Sequence, residues 1–381
     1  MAEKRHWVGT WTTSPAPAET GAFADQTLRM TMRASLGGDT VRVRISNAYG
    51  KRPLEIGGAH IALRETGAAT KAGSDRKLTF GGAAAATIAA GAVLFSDPVE
   101  LALPPLADLA VSLYLPGEVP NDFQITGRYA RQTNYVSPPG NFAAAPVMPI
   151  ASLTSDWFFV CGVDVLAAAD TGGIVTLGDS LTDGNISTMD AFCRWPDQLA
   201  RRLAARPRGR PMAVMNQGLG GNRILFDIRG DSGLRRFDRD VLAQPGVTHV
   251  VVMLGTNDLR NRWKKPEEEP NAVQMIAGLA QMAVRAHSAG VAIIGATLTP
   301  FGNETYMAGA WNPEREKVRA AVNQWIRESG AFDAVADFDQ ALRDPEHPTQ
   351  MLPKLDCGDG LHPSDLGYTR MGDAIDLALF E

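Results

Sequence analysis

Ile174-Val175-Thr176-Leu177-Gly178-Asp179-Ser180-Leu181-Thr182-Asp183-Gly184 is the stretch whose reading decides the fold. A short β-rich apolar run stops at a glycine, and a polar cluster follows it at once. The same grammar recurs downstream in the apolar runs Met212 to Met215, Val247 to Leu254, Val291 to Leu298 and Ala334 to Ala336. Helical periods lie between them. Asn271 to Ala289 ends at Gly290, and Pro313 to Ser329 has proline in its first turn and Gly330 as its stop. Val318, Val322, Trp325 and Ile326 share one face of that second helix. Strands alternating with helices predict a parallel sheet covered on both faces.

Working back toward the N-terminus, the period changes from helical to alternating. Leu28, Met30, Met32 and Ala34 alternate with Thr27, Arg29, Thr31 and Arg33; Val41, Val43 and Ile45 alternate with Arg42 and Arg44. Leu109, Val111, Leu113 and Leu115 repeat the pattern. Each reads as a half-buried strand with one face in the core and one in water. Gly37-Gly38-Asp39, Gly57-Gly58, Pro116-Gly117 and Pro138-Pro139-Gly140 punctuate them, which predicts an antiparallel sandwich or jelly roll. The expected division is a β-sandwich over residues 1–165 and an α/β unit over 166–381, with the Ala- and Pro-rich residues 141–155 as the hinge.

The 381 residues fit two domains, and 45% hydrophobic with 21% charged residues is the balance of a globular chain with a sizeable core. A formal net charge of −5 gives no reason to expect nucleic acid, and the basic pairs Arg201-Arg202 and Arg235-Arg236 read as solvated surface. No run of 18 apolar residues is present to span a membrane. The start, Met-Ala-Glu-Lys-Arg-His-Trp, lacks the apolar core of a secretory signal. The expectation is a cytoplasmic protein, or a secreted or periplasmic one if a signal has been trimmed. Cys161, Cys193 and Cys357 have no metal-ligand spacing and no disulfide arithmetic, and no histidines pair as ligands, so neither metal nor cofactor is expected.

In an open parallel sheet, ligands gather at the carboxyl ends of the strands. The polar clusters fall there: Gly178 to Gly184, then Asn216-Gln217-Gly218-Leu219-Gly220-Gly221-Asn222, then Gly255-Thr256-Asn257-Asp258. Asp359-Gly360-Leu361-His362-Pro363 stands near the C-terminus. A serine hydroxyl is a weak nucleophile at neutral pH and needs a base to take its proton. Histidine suits that task, since a free imidazole with a pKa of about 6.5 is mostly neutral at pH 7. Such a base needs an orienting partner on its other nitrogen, and Asp359 is three residues from His362. The constellation therefore assigns Ser180 as nucleophile, His362 as base and Asp359 as its partner. Gly178-Asp179-Ser180-Leu181 is not the Gly-x-Ser-x-Gly elbow, so the common α/β-hydrolase fold is not implied.

These four blocks resemble the GDSL or SGNH hydrolases, which are defined by Ser, Gly, Asn and His residues. The resemblance spans roughly residues 170 to 381. Gly9-Thr10-Trp11 and the β-rich half extend it toward a two-domain subgroup with an N-terminal β-sandwich. It implies a flavodoxin-like three-layer α/β/α catalytic domain and an oxyanion hole made by the Ser180 and Gly221 backbone N–H groups and the Asn257 side chain. Family spacing from Asn216 falls on Gly221, with Gly220 the near alternative. It further implies hydrolysis of carboxylic esters through an acyl-enzyme, the substrate being a small-molecule or carbohydrate ester with a short acyl or acetyl group.

Each residue also has a plainer reading. Ser180 could cap a helix, Gly221 could be a turn glycine, and Asn257 a strand-end cap. Asp179 and Asp258 read as loop-holding residues. His249 reads as a packed core residue, Cys357 as loop filler, and Arg223 as either a substrate contact or half of a structural ion pair. Two other functions remain open at this stage: a carbohydrate-binding protein with an inactive hydrolase domain, and an acyltransferase using the same acyl-enzyme.

Overall fold

The computed structural model describes residues 4–17, 22–120, 124–125, 131–260, 265–307 and 309–381. Met1 to Glu3, part of the N-terminal stretch read above, lie outside the described residues. The chain forms two compact units, Met1–Thr171 and Gly172–Glu381. Residue 165 falls inside a continuous strand, Val160–Ala168, which pairs antiparallel with Arg5–Thr12 and with Gly38–Ser46.

The first unit is built on two larger antiparallel sheets. One has five strands and is centred on Val160–Ala168 and Gly38–Ser46; the other has six and is centred on Phe23–Arg33 and Asp108–Val119. Val41, Val43 and Ile45 of the first sheet and Leu28, Met30 and Met32 of the second are fully buried, as their alternation predicts. The opposite face of Phe23–Arg33 is not solvated, however. Thr27 and Arg29 are buried too, bonded to the carbonyls of the segment from Gly140 to Ala145, and Thr31 is buried against Thr133 and Asn134. Arg29 donates to Ser112 Oγ at 2.8 Å and to the carbonyls of Ala68, Ala143 and Ala145. Those four acceptors replace the water that an exposed guanidinium would have. The same contacts overturn the expected hinge. Residues 141–155 belong to the first unit, where Phe142 N donates to Thr27 Oγ1 and Ser152–Thr154 pairs with Asn134–Pro139.

The second unit is an α/β domain. Its five parallel strands are Gly172–Gly178, Met212–Gly218, Val247–Met253, Ala292–Ala296 and Ala334–Ala336. Counted along the chain their order is 2-1-3-4-5, the flavodoxin-like arrangement. Every residue of Gly172–Gly178 is buried, as a central parallel strand requires. The helices form where their caps predict. Asn271 and Gln274 make a reciprocal capping box before Ala272–Ser288, and Asn312 Oδ1 accepts from Arg315 N before Pro313–Glu328. Val322 and Ile326 enter the core, with Val318 and Trp325 packed at its margin. Among the described residues no helix is long and apolar enough to cross a membrane.

Candidate active site

The first strand fixes where the nucleophile stands. Gly178 ends it, Asp179 caps the helix Ser180–Asp183 by accepting from Leu181 N at 3.0 Å, and Ser180 is the helix's first residue. The neighbouring strand closes against this turn only because it ends in glycine. A Cβ on Gly218 would meet Asp183 N at 2.2 Å. Arg236 ties both strand ends together, donating to Gly178 O, Gln217 O and Asn222 Oδ1 at 2.8–2.9 Å. It is fully buried and ion-paired with Asp240, so the solvated-surface reading of this arginine is wrong. Its charge serves strand-end carbonyls, a use that the pattern of basic pairs does not reveal.

Ser180 Oγ lies 3.0 Å from His362 Nε2, and His362 Nδ1 lies 2.6 Å from Asp359 Oδ2. Ser180 is 9% exposed and His362 4%, so the hydroxyl and the imidazole meet in a largely dry setting. Asp359 Oδ1 accepts from the N–H groups of Leu361 and His362 at 2.9 and 2.7 Å. Burial works against the Asp359 charge, but the hydrogen bond and charge of His362, with those two backbone donors, hold the carboxyl well below the usual carboxylate range. An ionised Asp359 accepts the Nδ1 proton and so leaves the Nε2 lone pair facing Ser180.

The remaining predicted residues gather around this line. Gly221 has φ +82°, a left-handed backbone suited to glycine. Gly220 turns its Cα toward the serine, for a Cβ there would lie 4.0 Å from Ser180 Cβ. Among the described residues no acceptor is bonded to the N–H of Ser180, Gly220 or Gly221. The Asn257 amide, in contrast, is engaged: Nδ2 donates to Asp179 Oδ2 at 3.0 Å and to Asn222 O at 3.2 Å. Arg223, itself buried, proves to be half of an ion pair with the partly exposed Glu268 (2.7 Å) and stacks over Phe226. His249 is half-buried, bonded to Thr248 Oγ1 and edge-on to Phe380.

Asn185 and Tyr306 carried no sequence signal. Asn185 Nδ2 stands 3.5 Å from His362 Nε2, with its own carbonyl held by Tyr368 Oη at 2.7 Å. Ile186, the next residue, has φ +68°, which is strained for a β-branched side chain. The Tyr306 ring meets the His362 ring nearly at right angles, 6.4 Å between centroids, and is 55% exposed.

Asp356, Cys357 and Asp359 offer ligand atoms within 4.8 Å of one another. They are poorly suited to a cation. Asp356 already accepts from the Gly358 and Gly360 N–H groups, Asp359 serves His362, and burial pushes the Cys357 thiol up to about 11.

Two further carboxyls are buried nearby. Desolvation raises Asp179 to about 6 and Asp258 to about 7, against the pull of their backbone donors. Asp258 Oδ2 accepts from Ile224 N at 2.8 Å, and Arg223 Nε is 3.9 Å from its other oxygen. A carboxyl whose folded-state pKa is raised contributes stability that is complete below its unfolded value near 4 and is lost as pH rises through about 7. We expect Asp258→Asn to remove part of that fall. Between pH 5 and pH 8 the thermal midpoint of the wild type should drop further than that of the variant, by an energy on the order of 1–3 kcal/mol. Equal drops in the two proteins would contradict the assignment.

Ser180, at a strand end, thus stands in line with His362 and Asp359 of the loop before the helix Asp365–Asp373. The family model described as "GDSL-like Lipase/Acylhydrolase family" matches residues 176–370, and the chain belongs to that family. No curated protein matches the chain. Among solved structures it is similar to an acetylxylan esterase from Geobacillus stearothermophilus at 21% identity and TM-score 0.41, over 53% of this chain and 91% of that one. It is also similar to a GDSL-like lipase from Bacteroides thetaiotaomicron at 20% identity and TM-score 0.41, over 54% and 87% of the two chains.

Proposed function

We propose that the protein is a serine esterase that cleaves short-chain acyl esters, acetyl esters included, through an acyl-enzyme on Ser180. The observation that carries this reading is the unbroken line from Ser180 Oγ through His362 to Asp359, at 3.0 and 2.6 Å. Ser180 Oγ attacks the acyl carbonyl carbon while its proton passes to His362 Nε2. The oxyanion is received by the Ser180 and Gly221 N–H groups, and by Asn257 Nδ2 once it exchanges its longer contact, the one to Asn222 O, for the new oxygen. The protonated imidazole then gives its proton to the departing alkoxide. Water, deprotonated by the same nitrogen, releases the acid. Asp359 stays ionised throughout and keeps the ring in one tautomer and one orientation.

The test is turnover of p-nitrophenyl acetate beside an acetylated sugar. Release of acetate as the main product, steadily or after a burst, with any ester formed from added alcohol a minor product, is the expected result. Acyl transfer to an added alcohol that outpaces release of acetate to water would make the protein an acyltransferase. No turnover of any short-chain ester, with sugar binding retained, would make it a binding protein.

A further inference from the structure

Arg260 closes the one-turn helix Thr256–Arg260, three residues beyond Asn257. Its Nη1 donates to Asn257 Oδ1 at 3.2 Å. Nε donates to Glu304 Oε2 at 2.7 Å, and Nη2 pairs with the other Glu304 oxygen. The two side chains are only 4% and 0% exposed, so the fork–fork pair is out of water. Tyr306, the residue whose ring meets His362, lies 5.9 Å from the same guanidinium.

A side-chain amide has two ends of nearly equal size, and a half-turn exchanges its oxygen for its nitrogen. Asn257 stands between partners of opposite kinds. On one side are two acceptors, Asp179 Oδ2 and Asn222 O; on the other is Arg260, which can only donate. A turned-over amide would set its NH₂ group against a cation and its oxygen against a carboxylate and a carbonyl. We infer that Arg260 is a positioning residue for ester hydrolysis: locked by Glu304, it fixes which end of the Asn257 amide faces the reacting carbonyl. The inference rests on the reading of Asn257 as an oxyanion donor.

There is a rival route from Arg260 to the chemistry. Thr305, next to Glu304, donates from its N–H to Asp359 O at 2.9 Å, so the same ion pair steadies a loop that touches the aspartate of the triad. A double-mutant cycle separates the two. Arg260→Met alone would strand the buried Glu304 carboxylate, so it is made together with Glu304→Gln. Turnover of p-nitrophenyl acetate by this double variant is expected to lose about 10–100-fold in kcat, with KM within about twofold. The decisive arm repeats both changes in an Asn257→Ala background, where they should cost nothing further, because no amide remains to orient. A multiplicative loss there, on top of a slow Asn257→Ala enzyme, would overturn the role of Arg260 and leave the oxyanion reading intact. An Asn257→Ala enzyme of full kcat would overturn both. Thermal midpoints and near-ultraviolet circular dichroism accompany each variant. Should the double variant fold poorly, Arg260→Lys takes its place in the cycle, since it keeps a charge opposite Glu304 while losing the fork.

Discussion

Ser180→Ala is expected to lower turnover of an acetyl ester by at least about 10⁴-fold while the protein keeps its thermal midpoint within a few degrees. The catalytic part of the expectation follows from the line of hydrogen bonds, since without Oγ the imidazole has no proton to take. The structural part follows from local geometry. Helix Ser180–Asp183 is capped by the Asp179 carboxylate and not by the serine hydroxyl, so alanine leaves the cap in place. Among the described residues the serine side chain bonds to the imidazole alone, and alanine there strands no buried carbonyl or charge. An active Ser180→Ala enzyme would end the nucleophile assignment. A variant that is inactive because it unfolds would point instead to serine as a structural residue.

Asp359→Asn is the second large effect, expected to be near 10⁴-fold on kcat. An asparagine amide can present either end to His362 Nδ1. When its NH₂ faces the ring, the proton must sit on Nε2, where it blocks acceptance from Ser180. The hydrogen bond and charge of His362, with two backbone donors, hold the wild-type carboxyl well below the usual carboxylate range, so it is ionised near neutral pH. The pH profile of activity should therefore carry no acid-side limb that belongs to Asp359. A limb in the wild-type profile that is abolished in the residual activity of Asp359→Asn, and that Asp179→Asn leaves in place, would show that Asp359 titrates and is not a fixed ionised partner. Because this carboxyl is depressed, it also contributes stability that is present above its unfolded value and is lost as pH falls toward its folded one.

Sequence alone reached most of the second unit. Five β-rich runs and two capped helices are enough to define the parallel sheet, because period, caps and stops all agree there: Asn271 with Gln274, Pro313 behind Asn312, and Gly290 and Gly330 in left-handed conformations past the helix ends. The meeting of Ser180, His362 and Asp359 was legible because two of them share one loop and the third follows a strand end. What was not legible has a common cause. Arg29 and Arg236 are charged, occupy positions that alternation or pairing assigns to water, and are buried because distant carbonyls converge on them. No local pattern reports a long-range acceptor. Asn185, Arg260 and Tyr306 escaped for a related reason: their value lies in distances to His362 and Asn257 that no spacing along the chain encodes. The same holds for residues 141–155, whose Ala and Pro content looks like a linker and whose backbone carbonyls turn out to be ligands of Arg29.

One consequence follows from the three-residue separation of Asp359 and His362. The two side chains are cut from a single piece of backbone, fastened at Asp359 Oδ1 to two consecutive N–H groups. A displacement of that segment carries both side chains along by the same amount, so their mutual alignment is insensitive to errors in assembly elsewhere. Of the two distances in the line, the one between His362 Nε2 and the serine oxygen depends on how two remote stretches of chain are brought into register. For the alignment of serine, histidine and aspartate, tolerance is thus concentrated in a single distance.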